Sequence, residues 1–180
     1  HAILGDSLRM NQIYAQMAQN FGHLPEVSAE VAMARGGIAE RRGEFGKAAA
    51  LYETVVGNVA PQPNATGLPG MVLGLPIRIA RLKARASTPF DSREQYAAAR
   101  TYYEQQTREH AGDVIGIEAQ GLLAEVAADQ GEWSMAIQAL NRLESQLLQD
   151  KKPPREPAEV RFSIAAIQRL AGAEPESIRA

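Results

Sequence analysis

The sequence predicts an all-α fold built of antiparallel helix pairs, and three observations carry this prediction. Ala, Leu, Glu, Gln and Arg are frequent among the 180 residues, and these residue types favour helix. β-Branched residues do not form the alternating runs that predict strands. An aromatic residue followed three positions later by alanine occurs at 45–48, 96–99 and 133–136. Such internal repetition is typical of arrays in which helix pairs stack on one another.

Capping residues, glycines and prolines predict the helix boundaries in order along the chain. Asp6-Ser7 are suited to cap the first helix, and Gly22 is suited to end it. Pro25 suits the first turn of the second helix, and Gly43 separates that helix from the third. The predicted helices span 7–21, 25–42, 45–56, 75–86, 94–109, 113–130, 132–148 and 158–171.

Three segments between the predicted helices are rich in helix-breaking residues. Residues 60–70 contain three prolines and two glycines, and therefore predict a loop. Residues 87–92 predict a break between two helices, and residues 151–157 predict a proline-rich linker. The helices are thereby divided into pairs.

A longer pattern surrounds the three aromatic–alanine pairs. It places a small residue in the first helix of a pair, glycine in the turn, and alanine followed by a bulky residue in the second helix. The matching residues are Gly36, Gly43, Phe45, Ala48 and Tyr52 in the first copy, Tyr96, Ala99 and Tyr103 in the second, and Ala124, Gly131, Trp133, Ala136 and Leu140 in the third. The alanines leave room for close helix packing, and we expect the aromatic residues to pack in the core.

This pattern resembles the tetratricopeptide repeat (TPR), whose unit of about 34 residues is a pair of antiparallel helices. The chain departs from the family in three respects. Glu94 stands where the second copy should have glycine, and Ala32 and Gln120 stand where the family has tryptophan. The alanines that follow the aromatic residues, Ala48, Ala99 and Ala136, are separated by 51 and 37 residues. The first interval is longer than the family's repeat because it contains the proline-rich loops.

The resemblance implies a right-handed α-solenoid with a TPR-like superhelix. The expected organisation is one domain over 1–180, with repeats at about 26–57, 71–110 and 113–148 and flanking helices at 7–21 and 158–171. The start at His1 and the tail after Gly172 indicate a piece of a longer chain, and this too is an expectation.

The resemblance also implies a concave groove, lined by the first helix of each pair, that binds a peptide or a partner protein. In the first copy the groove positions include Glu30, Met33 and Arg41. In the third copy they include Glu118, Glu125 and Asp129. The resemblance therefore predicts contacts between these residues and a ligand.

The uneven distribution of charge suggests two further ligand-binding surfaces. Residues 78–110 contain seven basic and four acidic residues, a net charge of +3, whereas residues 111–150 contain seven acidic residues and one basic residue, a net charge of −6. Arg78, Arg81 and Arg85 share a helix face and are suited to bind an acidic peptide. The acidic face of the third copy is suited to a basic ligand. An ordinary solvated surface is the default interpretation of both faces.

Catalytic and cofactor signatures are absent from the sequence. No zinc-binding histidine pair, no phosphate-binding loop and no carboxylate–histidine pair at ligand spacing is found, and there are no cysteines. We therefore predict no enzymatic activity and no cofactor. The net charge of −2 gives no general attraction to nucleic acid, and no apolar run is long enough to span a membrane.

The leading hypothesis is thus a non-catalytic scaffold that binds a peptide or partner protein during assembly of a larger complex. Two alternatives are a structural module that forms homo-oligomers and a regulatory domain of a longer enzyme. Met10, Tyr14 and Met17 lie at i, i+4 and i+7, so this stripe is expected either in the core or on an exposed docking face. Alanine-rich helices without cysteine favour a bacterial source, with a cytoplasmic or cell-envelope location left open.

Overall fold

The computed structural model describes residues 2–61, 68–86, 92–150 and 153–177. The chain divides into two compact units, unit 1 (His1–Gln95) and unit 2 (Tyr96–Ala180). Every regular element in the described ranges is a helix, which confirms the all-α prediction. The right-handed repeat array over a single domain stays a prediction.

The helices follow one another closely along the chain. In unit 1 they are α1 (Ala2–Phe21), α2 (Pro25–Arg41), α3 (Phe45–Val56), α4 (Leu68–Met71), a 3₁₀ turn (Val72–Gly74) and α5 (Leu75–Ala86). In unit 2 they are α6 (Ser92–Glu109, which begins at the end of unit 1), α7 (Val114–Asp129), α8 (Trp133–Gln149) and α9 (Pro157–Ser177). In unit 1, α2 packs against α1 and α3, and α3 also packs against α5. In unit 2, α8 packs against α7 and α9.

Helix boundaries agree with the prediction for α3 and α5 and differ elsewhere. The predicted cap at Asp6-Ser7 is wrong, because α1 already begins at Ala2. The residues ahead of that cap, Ala-Ile-Leu-Gly, contain no proline that would stop the helix from extending. At the other end of the chain, α9 continues through Gly172 to Ser177, since one glycine costs a helix only about 1 kcal/mol.

The predicted loop at 60–70 is shorter in the structure. Leu68–Met71 forms a helical turn and leads through the 3₁₀ turn into α5. Val72 and Leu73 of that turn are buried, so their apolar side chains hold the segment against the core. The rest of the predicted loop, 62–67, lies outside the described residues, as do 87–91 of the predicted helix break and 151–152 of the predicted linker.

Two turns, one in each unit, have the same backbone geometry. Gly43 between α2 and α3 has φ +75°, and Gly131 between α7 and α8 has φ +72°, a conformation that favours glycine. In both turns the glycine amide donates to the carbonyl three residues earlier, at 3.0 Å. The next amide donates to the carbonyl five residues earlier, at 2.9 Å. The two matching glycines of the sequence pattern therefore occupy equivalent positions.

The core of unit 1 depends on a close contact between α2 and α3. Gly36 of α2 is buried against the ring of Tyr52, which is 1% exposed. A Cβ atom on Gly36 would lie 2.4 Å from Cε1 of Tyr52, closer than any real contact. Glycine is therefore required at this position if the tyrosine ring is to pack here.

The core of unit 2 contains aliphatic residues from α7, α8 and α9. Ala124, Leu140, Leu143 and Val160 are buried together in it. On α6, Tyr103 is fully buried, whereas Tyr102 is half-buried and packs edge-on against the Tyr103 ring at 5.5 Å between centroids.

The four aromatic residues expected in the core differ in their burial. Tyr52 and Tyr96 are buried as predicted. Phe45 and Trp133, each at the start of a second helix, are only half-buried. Both stand at the first position of their helices.

No helix in the described ranges is both long enough and apolar enough to cross a bilayer.

Candidate ligand-binding groove

One face of α2 forms the floor of a groove in unit 1. Glu30, Met33, Gly37 and Arg41 share this face because they lie at i, i+3, i+7 and i+11. Other elements of unit 1 supply the walls. The residues that define the unit 1 groove are Met10 and Tyr14 of α1, Glu30, Met33, Ala34, Gly37 and Arg41 of α2, Tyr52 of α3, Met71 of α4 and Arg78 of α5. The cavity volume is about 410 Å³.

Apolar residues line the middle of the groove, and charged residues stand at the two ends of its floor. Met10, Met33 and Met71 come from three different helices, and methionine side chains adapt to varied apolar surfaces. Glu30 and Arg41 form no hydrogen bond or ion pair with any described residue. Eleven helical residues separate them, so their Cα atoms are about 16 Å apart along α2.

A hydrogen-bonded cluster ties α2, α3 and α5 together beside the groove. Arg78 donates to Oε2 of Glu40 from Nη2 at 2.7 Å and from Nε at 3.0 Å. The Tyr52 hydroxyl donates to the same oxygen at 3.1 Å, and the Arg78 guanidinium lies 4.9 Å from the centroid of the Tyr52 ring. Burial of the phenol, together with the neighbouring Glu40 carboxylate, raises the pKa of Tyr52 above its ordinary value despite the opposing effect of Arg78. The hydroxyl therefore stays protonated and acts as a donor.

Of the predicted basic face, only Arg78 is among the residues that line the groove. Its guanidinium is engaged by Glu40, which gives this arginine a structural role in the chain. Arg85 lies over the ring of Phe45, 5.7 Å from its centroid, and Arg81 is half-buried on the same helix. The groove arginine that forms no hydrogen bond or ion pair with a described residue is Arg41. The proposal that the basic face binds an acidic peptide remains a prediction.

The predicted acidic residues lie on one face of α7 in unit 2. Glu118, Glu125 and Asp129 follow one another at i, i+7 and i+11. Gly121, between them on this face, is buried, and a Cβ atom there would lie 3.2 Å from Nη1 of Arg155. A basic side chain of the same chain therefore already covers part of this face. Contact of the three acids with a separate ligand stays a prediction.

Some groove residues were visible in the sequence and others were not. The Met10–Tyr14 stripe was expected either in the core or on an exposed docking face, and in the structure it is partly buried and partly exposed. α1 packs on α2, yet Met10 remains 40% exposed at the groove. Met71 carried no sequence signal, because its place depends on how the segment between α3 and α5 folds back.

One titratable pair was missed by the sequence prediction. Nδ1 of His110 lies 2.9 Å from Oδ2 of Asp113. The spacing of three residues brings the two groups together because a turn with Gly112 at φ +88° separates α6 from α7. Asp113 also caps α7 by accepting the amide of Gly116 at 3.1 Å. Within the described part of the chain, no group of three or more His, Cys, Asp or Glu residues is placed to hold a metal ion.

Comparison with known proteins identifies no family for the chain. A scan against protein-family models, a search of curated proteins and a search of solved structures each found no match.

Proposed function

We propose that the protein is a non-catalytic scaffold of the TPR type that binds a peptide or an extended segment of a partner protein in the unit 1 groove. One observation carries this proposal. Glu30, Met33, Gly37 and Arg41, four of the five first-copy residues that the resemblance assigns to ligand contact, line one cavity together with apolar side chains from α1 and α4. The fifth, Glu40, is not part of this lining and accepts hydrogen bonds from Arg78 instead. The volume of about 410 Å³ is within the range typical of ligand sites.

The turns and the core give the resemblance additional support. Gly43 and Gly131 have the same positive φ and the same hydrogen bonds, as equivalent positions of a repeat would. Gly36 and Tyr52 pack against each other, and both match the family pattern. These contacts favour two copies of one helix pair, which is the unit of the proposed array.

The lining of the groove also indicates the ligand. An extended segment advances about 3.3 Å per residue, so about five residues span the distance from Glu30 to Arg41. A basic group fits beside Glu30, an acidic group fits beside Arg41, and apolar side chains fit against the methionines between them. The proposed ligand thus has the charge order basic, apolar, acidic along α2.

Peptide display tests this proposal directly. Peptides selected on the wild-type protein are expected to lose about tenfold or more in affinity for Glu30→Lys or Arg41→Glu, since one end then meets a like charge. The double variant is expected to select peptides of reversed charge order. Arg35→Glu is the matched control, because Arg35 is exposed on the opposite face of α2. Selected peptides that bind all variants equally would rule out this groove.

The exposed apolar face of α9 favours self-assembly as a second candidate function. Phe162 is 79% exposed and Leu170 is 56% exposed, on the same side of the helix as Ala166. Large exposed apolar side chains grouped in this way mark interaction surfaces. Here the partner is a second copy of the chain, and size exclusion with light scattering is expected to show a mass that rises with concentration.

A further inference from the structure

Unit 2 contains a cavity of about 330 Å³ whose lining is unlike that of the unit 1 groove. Three helices contribute to its wall. α6 provides Arg100, Glu104 and Arg108, and α8 provides Arg142. Gln120 of α7 also lines the cavity and is only 5% exposed. The cavity therefore has a mixed polar and apolar lining that comes from three successive helices.

The charged groups of this cavity are mostly cationic. Three arginines and one glutamate line it, which gives a formal net charge of +2. Arg100 is held by Glu132 and by the side-chain carbonyl of Gln130 at 2.6 Å. Arg108 and Arg142 make no hydrogen bond or ion pair with any described residue. Two guanidinium groups from different helices are thus available to an anion.

Gln120 adds a buried donor to this arrangement. Its Nε2 lies 3.4 Å from the carbonyl oxygen of Ala139, at the long limit of a hydrogen bond. A buried amide that is held this weakly gains by donating to a better acceptor. The donors of the cavity therefore come from three directions, α6, α7 and α8.

We propose that this cavity binds a doubly charged phosphoryl group. Arg108 and Arg142, the two guanidinium groups that no described residue engages, match the two negative charges of a dianion, and arginine forks bind phosphate oxygens in bidentate geometry. Donors from three helices suit a tetrahedral group better than a planar carboxylate. The volume leaves room for the atoms that carry the phosphoryl group, which comes either from a free phosphate compound or from a phosphorylated side chain of a partner.

The charged residues of the cavity come from two stretches of opposite net charge. Arg100, Glu104 and Arg108 lie in the basic stretch 78–110, whereas residues 111–150 have a net charge of −6, for which the sequence suggested a basic ligand or a solvated surface. The acidic face of α7 at Glu118, Glu125 and Asp129 is nearly opposite the face that carries Gln120, as 100° per residue requires. Arg142, the single basic residue of that stretch, joins the arginines of α6 at the cavity.

An NMR titration of the whole chain at constant ionic strength tests the proposal. The probes are inorganic phosphate, a short phosphoserine peptide and the same peptide with unmodified serine. The wild-type protein is expected to bind the phosphoserine peptide and not the serine peptide. Arg108→Gln and Arg142→Gln are each expected to weaken that binding about tenfold or more, because each removes a charged donor. Both side chains are exposed, so neither substitution is expected to unfold the chain.

The titration distinguishes the two sources of the phosphoryl group from each other and from failure of the proposal. Binding of inorganic phosphate with the same sensitivity to the two variants indicates a free phosphate compound, whereas binding of the phosphopeptide alone indicates a modified partner. Arg169→Gln, an exposed arginine on α9 outside the cavity, is the matched control. The proposal is overturned if neither phosphate probe binds, or if the cavity variants and the control bind equally well.

Discussion

Gly36 lies against the ring of Tyr52 in the core of unit 1, and its neighbour Gly37 faces the groove. The two glycines are adjacent in one helix, so their intrinsic helix propensities are the same. Their surroundings differ, since a Cβ on Gly36 would lie 2.4 Å from Cε1 of Tyr52, whereas a Cβ on Gly37 would have its nearest neighbour at 3.6 Å. At the scale of single residues, substitutions at these two positions therefore distinguish the effect of side-chain packing on stability from the effect of helix propensity.

We expect Gly36→Ala to lower the free energy of unfolding by about 1–3 kcal/mol, because the methyl group overpacks the Tyr52 ring. Gly37→Ala is the matched control, and we expect it to raise the free energy of unfolding by up to about 1 kcal/mol through helix propensity. Urea denaturation of the two variants measures both values. Equal effects at the two positions would contradict the packing described for α2 and α3.

Asp113 is a second residue whose environment predicts a measurable effect. Partial burial alone raises the pKa of its carboxyl, but the Gly116 amide and the His110 ring outweigh this, and the pKa is lowered below its ordinary value. A lowered pKa in the folded state means that the ionised carboxylate stabilises the fold. This contribution is complete above the ordinary carboxyl pKa and is lost as the pH falls through the lowered value.

Asp113→Ala is therefore expected to cost about 1 kcal/mol of unfolding free energy at neutral pH, as for other N-cap residues. The difference from the wild type should shrink in acid, because the wild-type carboxyl then becomes protonated. Denaturation curves at neutral and acidic pH measure the change. Asp113→Asn is the control, since an amide caps the helix without titrating. A difference that stays constant with pH would show that ionisation of Asp113 contributes nothing.

At the scale of elements, small residues allow the second helix of each pair to approach its neighbours. Ala48 of α3 and Ala136 of α8 are fully buried at equivalent places after the two glycine turns. Glycines and capping residues in the sequence predicted both helices and both turns, because the effects of these residues extend over only a few positions. Burial of these alanines followed from the aromatic–alanine pattern, although Phe45 and Trp133 themselves are only half-buried.

Ala48→Trp and Ala136→Trp are each expected to destabilise the protein by about 1–3 kcal/mol or more, since a large ring at a close helix contact forces backbone shifts. Ala50→Trp in α3 and Ser134→Trp in α8 are the controls, because both positions are exposed. Thermal unfolding followed by circular dichroism measures the four variants. Neutral results at both buried alanines would show that the helix register is wrong.

At the scale of the whole molecule, the two candidate functions give different masses in solution. A scaffold that keeps the unit 1 groove for a partner has no need to self-associate. Self-assembly through α9 requires a second copy to cover Phe162 and Leu170, because an interface of this kind buries its largest apolar side chains.

If α9 mediates self-assembly, Phe162→Glu and Leu170→Glu should each reduce the molecular mass to that of a monomer, since a charge in an apolar interface is costly. Light scattering coupled to size exclusion, over a wide concentration range, measures this. Leu148→Glu is the control, because Leu148 is 59% exposed on α8 outside the α9 face. A mass that is monomeric in the wild type at every concentration would remove this alternative.

The sequence by itself determined the local structure of this protein. The helix start at Pro25, the glycine turns at 43 and 131, and the order of helices all depend on neighbours within a few residues, where propensity and capping act. The family resemblance assigned Glu30, Met33 and Arg41 to ligand contact, and a period of 3.6 places these three residues on one face of α2.

Only the tertiary structure decided which side chains meet across elements. In the folded chain, Arg78 forms an ion pair with Glu40 and Met71 lines the unit 1 groove. Arg155 lies close to Gly121. Arg108, from the basic stretch 78–110, also meets Arg142, the single basic residue of the acidic stretch 111–150, at one cavity. Such contacts join residues that are tens of positions apart, and periodicity within one helix gives no information on the direction in which the next helix packs.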